Sequence, residues 1–303
     1  MMSIWACRVV LALFFVCGGL ASIHEDPCQF CSRQFSSTLV RGDERFFASL
    51  KEGFVPQFPF DFAEPLLSCE LESRDGYGDG PKWVCGLELL PSQCLVLSFG
   101  SSCEFGFERS VRKYPKGKTC EMHIYDPYSG KECSLSGAKS VNATFHFVGL
   151  GRTSRVVKKN DLSAIQFQNL PDILRELRLE GRTIDVLKMD IEGAEYESFA
   201  PIFELMREGK LKVGQFLIEM HALSDSVNAS VLHHFFRSMW STGNYLFHKE
   251  RNGWGCGGTT CVEFSFVSAE YLARVYHSSH CPQCHLKDLL DHTNSHHRRS
   301  LEK

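Results

Sequence analysis

From Trp83 to Val267, short apolar runs alternate with stretches of helical periodicity, and this alternation limits the fold more than any other feature. It marks a mostly parallel sheet whose strands are joined by helices. Cys94–Phe99 is an apolar run stopped by Gly100, which predicts a buried strand. Ser101 stands three residues before Glu104, a capping-box spacing that predicts a helix starting there and running toward Pro115. Met122–Tyr125 reads as the next strand, stopped by Asp126-Pro127, and Thr144–Val148, before Gly149, as a third. Leu170, Ile173, Leu174 and Leu177 repeat at helical spacing, with Pro171 in the first turn and Gly181 past the end. Ile184–Met189 is a strand halted by Asp190, and a helix over Phe199–Met206 stops at Gly209. Phe216–Ile218 is a strand ending in Glu219-Met220-His221, followed by a helix over Val227–Met239. Strands Tyr245–Lys249 and Cys261–Val267 flank a Gly-rich turn, so they should form an antiparallel pair at the sheet edge.

The ends of the chain speak to compartment. Arg8 precedes the apolar run Val9–Val16, and small residues at Gly19 and Ala21 follow. This pattern reads as a signal peptide over residues 1–21, with an uncleaved type II anchor as the other reading. A membrane partner is expected only in that second case. Of the 14 Cys, twelve remain once Cys7 and Cys17 leave with the leader, an even number suited to an oxidising compartment. Two sequons, at Asn142 and Asn228, are compatible with glycosylation. Residues 22–83 then form a cysteine-containing lead-in, 84–270 the α/β domain, and 271–303 a tail rich in Cys and His. Cys28-x-x-Cys31 and Cys281-x-x-Cys284 have zinc-type spacing, but disulfides are the expected use outside the cytosol, and Cys256 and Cys261 could bridge their turn. The formal charge of −3 gives no electrostatic reason to expect nucleic acid as a partner.

In an open α/β sheet, ligands bind beyond the carboxyl ends of the strands. The residues at those ends are Gly100, Asp126, Gly149, Asp190, Glu219 and His221. Gly100 lets backbone approach a ligand, and the expected helix behind it would offer free N–H groups. The loop is not G-x-G-x-x-G, which argues against a dinucleotide pyrophosphate. Asp126 either accepts from ribose hydroxyls or makes an Asp-Pro turn. Asp190 and His221 are the candidate bases by type and position, His221 also being readable as a structural histidine. Asp190, Glu192, Glu219 and His221 could instead converge on a divalent metal, but no ligand spacing marks them, and no metal is assigned.

The string LKMDIEGAE, ending at Glu195, closely resembles the signature of FkbM-type S-adenosylmethionine-dependent methyltransferases. LVLSFGSSCEFGFE, HIYDP and QFLIEMH resemble the secreted branch of that group, the methyltransferase-like protein 24 family. The resemblance implies a Rossmann-like class I methyltransferase sheet, mostly parallel with one antiparallel edge strand, carrying Cys-containing extensions at both ends. It implies S-adenosylmethionine as cofactor, with Gly100, Ser101, Glu104 and Gly149 around it, Asp126 on its ribose and Asp190 near its sulfonium. Glu192 and Glu195 would turn the chain into the next helix. The implied activity is methyl transfer to a lumenal or extracellular small-molecule or glycan acceptor. A non-catalytic secreted binding domain on the same shell is the alternative, and a nicotinamide enzyme a third.

Overall fold

The computed structural model describes residues 80–114, 119–158, 164–222, 229–254 and 260–282 without a break, and shorter stretches among 26–34, 64–74 and 227–287. The leader, Asn228 and the tail beyond 287 lie outside the described residues. Seven strands form the main sheet: β3 (Leu95–Phe99), β4 (Glu121–Tyr125), β5 (Thr144–His146), β9 (Ile184–Met189), β10 (Val213–His221), β11 (Asn244–Arg251) and β12 (Cys261–Ser268). Their order is β5-β4-β3-β9-β10-β12-β11. The first five run parallel. β12 is antiparallel to both β10 and β11. The expected antiparallel pair therefore closes the edge, and its reversed member is β12, one place in from the outermost strand.

β3, β9 and β10 are buried along their whole length, as expected for strands covered on both faces. The helices are α1 (Gly106–Lys113), α2 (Lys131–Ser140), α3 (Leu170–Glu176), α4 (Glu195–Arg207), α5 (Ala229–Ser241) and α6 (Ala269–His280). α3 packs on α4 and α4 on α5, while α6 packs on β10 and β12. A two-stranded piece, β1 (Glu72–Ser73) with β2 (Val84–Cys85), precedes the sheet. Leu67 and Cys69 of the lead-in join the same core cluster as the sheet. A small sheet, β6 (Val148–Leu150), β8 (Ala164–Gln168) and β7 (Arg155–Lys158), meets the main sheet where β6 contacts β4.

Several expectations need correcting. No helix starts at Ser101. Ser102 and Cys103 have φ of 46° and 63°, which a helix cannot contain, and α1 starts only at Gly106 without a side-chain cap. The Thr144–Val148 strand divides between β5 and β6, which belong to different sheets. The helix at Leu170 ends at Glu176, five residues short of Gly181, although Asn169 caps its start through the Asp172 N–H at 2.9 Å. β10 continues to His221, so Glu219 and His221 belong to the strand and do not follow it. α2 carries no apolar stripe because its packed face is small: Ser134 and Ala138 are buried, and a Cβ on Gly137 would collide with the Phe105 ring.

All twelve described cysteines are paired. Cys28–Cys284 and Cys31–Cys281 cross between the two C-x-x-C motifs and tie the lead-in to the tail. Cys256–Cys261 closes the edge turn, as expected. Cys94–Cys120 joins the starts of β3 and β4, Cys69–Cys85 the lead-in to β2, and Cys103–Cys133 the loop after β3 to α2.

The strand ends are held in one row by backbone hydrogen bonds. Asp126 N–H donates to His146 O (3.0 Å), Gly100 N–H to Tyr125 O (2.8 Å) and Asp190 N–H to Phe99 O (2.9 Å). At Gly100 φ is +81°, and a Cβ there would overlap the Asp190 carbonyl oxygen. The glycine is thus required by the approach of two strand ends, in addition to any approach of a ligand. Gly100→Ala should cost more than about 4 kcal/mol, in the exceptional range for one substitution. Gly181→Ala, at φ +75° with nothing within 4 Å, should cost only the left-handed penalty of about 1–2 kcal/mol. Urea denaturation of the two variants checks this; equal losses would show that the Gly100–Asp190 approach is not tight.

Candidate active site

Beyond this row lies a cavity of about 740 Å³, within the range of small-molecule sites. The seven residues given cofactor or catalytic roles from the sequence, Gly100, Ser101, Glu104, Asp126, Gly149, Asp190 and His221, line it, and so do Glu192 and Glu219. One side is apolar. Gly149 is bare because a Cβ there would meet the Phe167 ring at 2.5 Å, so that ring, Leu150 and Pro127 form the wall near β4 and β6. Glu104 stands exposed at the rim.

Asp126 does more than end β4. Its Oδ2 accepts from the N–H of Ser101 (3.0 Å) and Ser102 (2.8 Å) and from the Ser129 hydroxyl (2.6 Å). Its Oδ1 accepts from the N–H of Tyr128 (2.9 Å) and Ser129 (3.1 Å). Burial alone would raise this carboxyl. The Ser129 hydroxyl and the amides of Ser101, Ser102 and Tyr128 outweigh it and hold the group below its usual value. The carboxylate therefore knits the loop after β3 to the loop after β4.

The opposite side is charged, and the acids on it are held from behind by a residue the sequence reading passed over. Lys82, from the lead-in just before β2, is 3 % exposed. Its ammonium donates to Asp190 Oδ2 (3.1 Å), Glu219 Oε2 (3.2 Å) and Glu263 Oε1 (2.7 Å). Burial works to lower it, but the three carboxylates hold it well above the ordinary lysine value. Asp190 in turn would be raised by burial; Lys82 first, then Lys188 and His221, hold it well below the carboxylate range. Burial pushes the Glu219 carboxyl up to about 7, with Lys82 opposing and Asp190 adding to the rise. Glu219 Oε1 also accepts from Asn252 Nδ2 (2.6 Å). Lys188, inside LKMDIEGAE, is 4 % exposed and its ammonium donates to Gly100 O, which fastens β9 to the end of β3. No local pattern marks Lys82: it sits in a turn-rich segment, 108 residues before Asp190.

His221 is buried between carboxylates. Its Nδ1 lies 2.9 Å from Glu195 Oε1, and Glu195 is fully buried at the start of α4, where the same oxygen accepts from Ile191 and Gly193 N–H (3.2 Å each). Burial works to lower the imidazole, but Glu195, joined by Glu219 and Asp190, pushes it up to about 9. These carboxylates therefore favour the protonated ring.

A seven-stranded sheet with β12 reversed between β10 and β11, and a cavity across the ends of β3, β4, β9 and β10, is a Rossmann-like class I methyltransferase architecture. Residues 55–268 match the family described as a methyltransferase domain, and the chain belongs to that family. No functionally curated protein matches the sequence significantly. Among solved structures, the chain is similar to an O-methyltransferase from Bacillus cereus in complex with SAH (10% identity, 86% of this chain, 97% of that one, TM-score 0.36). It is also similar to the fibrillarin pre-rRNA processing protein of Methanococcus jannaschii (12% identity, 67% and 84%, TM-score 0.36). A third is the 1,6-didemethyltoxoflavin-N1-methyltransferase of Burkholderia thailandensis (11% identity, 58% and 71%, TM-score 0.35).

Lys82→Met leaves three carboxylates buried around an absent cation and should cost about 3–5 kcal/mol, read by urea denaturation. A loss below about 1 kcal/mol would mean that the carboxylates do not depend on the lysine. For Asp126 the folded value is depressed, so its contribution is present above the unfolded value of about 3.9 and fades as pH falls through the lower folded one. Asp126→Asn should therefore flatten the acid side of the stability–pH curve and leave its alkaline side unchanged.

Proposed function

We propose that this protein transfers a methyl group from S-adenosylmethionine to a hydroxyl of a lumenal or extracellular acceptor, a small molecule or a glycan. One observation supports this above the others: the row of strand ends opens into a single cavity with an aromatic wall at one end and an acidic cluster at the other, in a chain of the methyltransferase-domain family. The cofactor has the matching polarity, with a flat neutral base at one end and a sulfonium at the other. The base would lie against Phe167, Leu150 and Pro127, and the methionine part along Gly100, Ser101 and Glu104. Asp126 would set the loops that frame the ribose, and Asp190 would face the sulfonium.

Methyl transfer is an in-line displacement, so alignment and charge stabilisation are the protein's main tasks. The carbon–sulfur bond breaks, the acceptor oxygen takes the methyl group, and the acceptor proton leaves. A group facing the cavity receives that proton; Glu219 and His221, which line the cavity beside Asp190, have that position.

The finer kinship, to the FkbM-type group and its secreted methyltransferase-like protein 24 branch, rests on LKMDIEGAE, HIYDP and QFLIEMH. The secretory reading draws support from the six disulfides, and the Asn142 sequon lies exposed at the end of α2. No helix among the described residues is long and apolar enough to cross a membrane.

Melting of the purified protein with S-adenosylhomocysteine tests the reading. Ligand at about 100 times its dissociation constant should add roughly 2.7 kcal/mol of stability. No shift would favour a non-catalytic binding domain, and a shift with NAD in its place would favour a nicotinamide enzyme.

A further inference from the structure

We propose that Asp190, Glu192 and His221 form a binding site for one divalent cation of the Mn2+ type, at the acidic end of the cavity. The proposal rests on the methyl-transfer reading only for what the ion would do, and not for its ligands. One donor atom from each residue lies within 4.8 Å of the others, a separation that a single oxygen- and nitrogen-bound ion spans with bonds of about 2.1–2.4 Å.

Three contacts give this cluster more than an accumulation of acids. The His221 side chain is 3 % exposed, and its Nε2 makes no hydrogen bond among the described residues; it lies 3.5 Å from Glu192 Oε2 and 3.9 Å from Glu219 Oε1. Its other nitrogen, Nδ1, is held at 2.9 Å by Glu195, whose side chain is 0 % exposed. A carboxylate that fixes one imidazole nitrogen and aims the other is the usual arrangement behind a metal-binding histidine. At Asp190 both ammonium contacts, Lys82 at 3.1 Å and Lys188 at 3.9 Å, fall on Oδ2, so Oδ1 is the oxygen left for an ion.

The charge count points the same way. Five carboxylates gather here, Asp190, Glu192, Glu195, Glu219 and Glu263, against the ammoniums of Lys82 and Lys188 and the imidazole of His221. A dication at Asp190, Glu192 and His221 offsets most of this excess. Two carboxylate oxygens and one imidazole nitrogen suit Mn2+ better than a softer, thiolate-seeking ion. Cys256 and Cys261, the other possible donors near His221, are joined in a disulfide. Bound there, the ion would hold an acceptor hydroxyl and make its proton easier to lose.

The test uses the full chain with its disulfides intact, stripped with EDTA and titrated with MnCl2 without cofactor or acceptor, free Mn2+ being read by electron paramagnetic resonance. One site tighter than about 1 mM is expected, with nitrogen coupling from the imidazole in the spin echo. Glu192→Gln changes a side chain that is 81 % exposed, so it should fold normally and weaken Mn2+ by at least tenfold. Glu195→Gln should weaken it about 10–100-fold by releasing the imidazole. Absence of saturable binding, absence of nitrogen coupling, or affinity unchanged in Glu192→Gln would overturn the site. Because no cofactor is present, failure here leaves the S-adenosylhomocysteine melting shift as a separate result, and the reverse also holds.

Discussion

The structure depends on how closely β3 and β9 approach at their carboxyl ends. The Asp190 carbonyl occupies the space where a side chain on residue 100 would be, and the Asp190 N–H bonds to Phe99 O. Only a glycine in the left-handed region allows this. The contact brings Gly100, Asp126 and Asp190 into one row, and the cavity is the space beyond it. Lys188 reinforces the junction by donating to Gly100 O from inside β9. Backbone geometry thus brings the chemical groups together before any ligand arrives.

The charged end is organised on a different principle. Lys82 is a buried cation that keeps three carboxylates close together, an arrangement they could not hold unaided because like charges in a poorly hydrated space repel strongly. It reaches the site from the lead-in, which the Cys69–Cys85 disulfide fastens to β2 a few residues away. On the other wall, Cys103–Cys133 fastens the loop after β3, whose amides Asp126 holds, to α2. Disulfides therefore brace both walls of the cavity. The site is shaped by covalent links as much as by packing.

Much of this was legible in the sequence because strands buried on both faces leave continuous apolar runs. Leu95–Phe99 and Ile184–Met189 appear where those runs lie, and each stops at a residue that lines the cavity. What was not legible depended on contacts distant in sequence. The Ser101–Glu104 spacing suggested a helix start, yet the Ser101 and Ser102 amides go to Asp126, 24 to 25 residues on. α2 packs through Ser134, Gly137 and Ala138, which no hydropathy period reveals. Whether His221 is a base or a structural histidine stayed open because the sequence could not show Glu195 buried beside it. Lys82 gave no signal, since its three partners lie 108, 137 and 181 residues away.

The central claim is that one row of strand ends forms one cofactor crevice. Hydrogen exchange with and without S-adenosylhomocysteine tests it most directly, because it reports each loop separately. The account predicts that peptides over 99–103, 125–129 and 189–195 gain protection together at the same ligand concentration. Protection confined to one of them, or found instead at the opposite ends of the strands around Asp185 and Lys212, would contradict it.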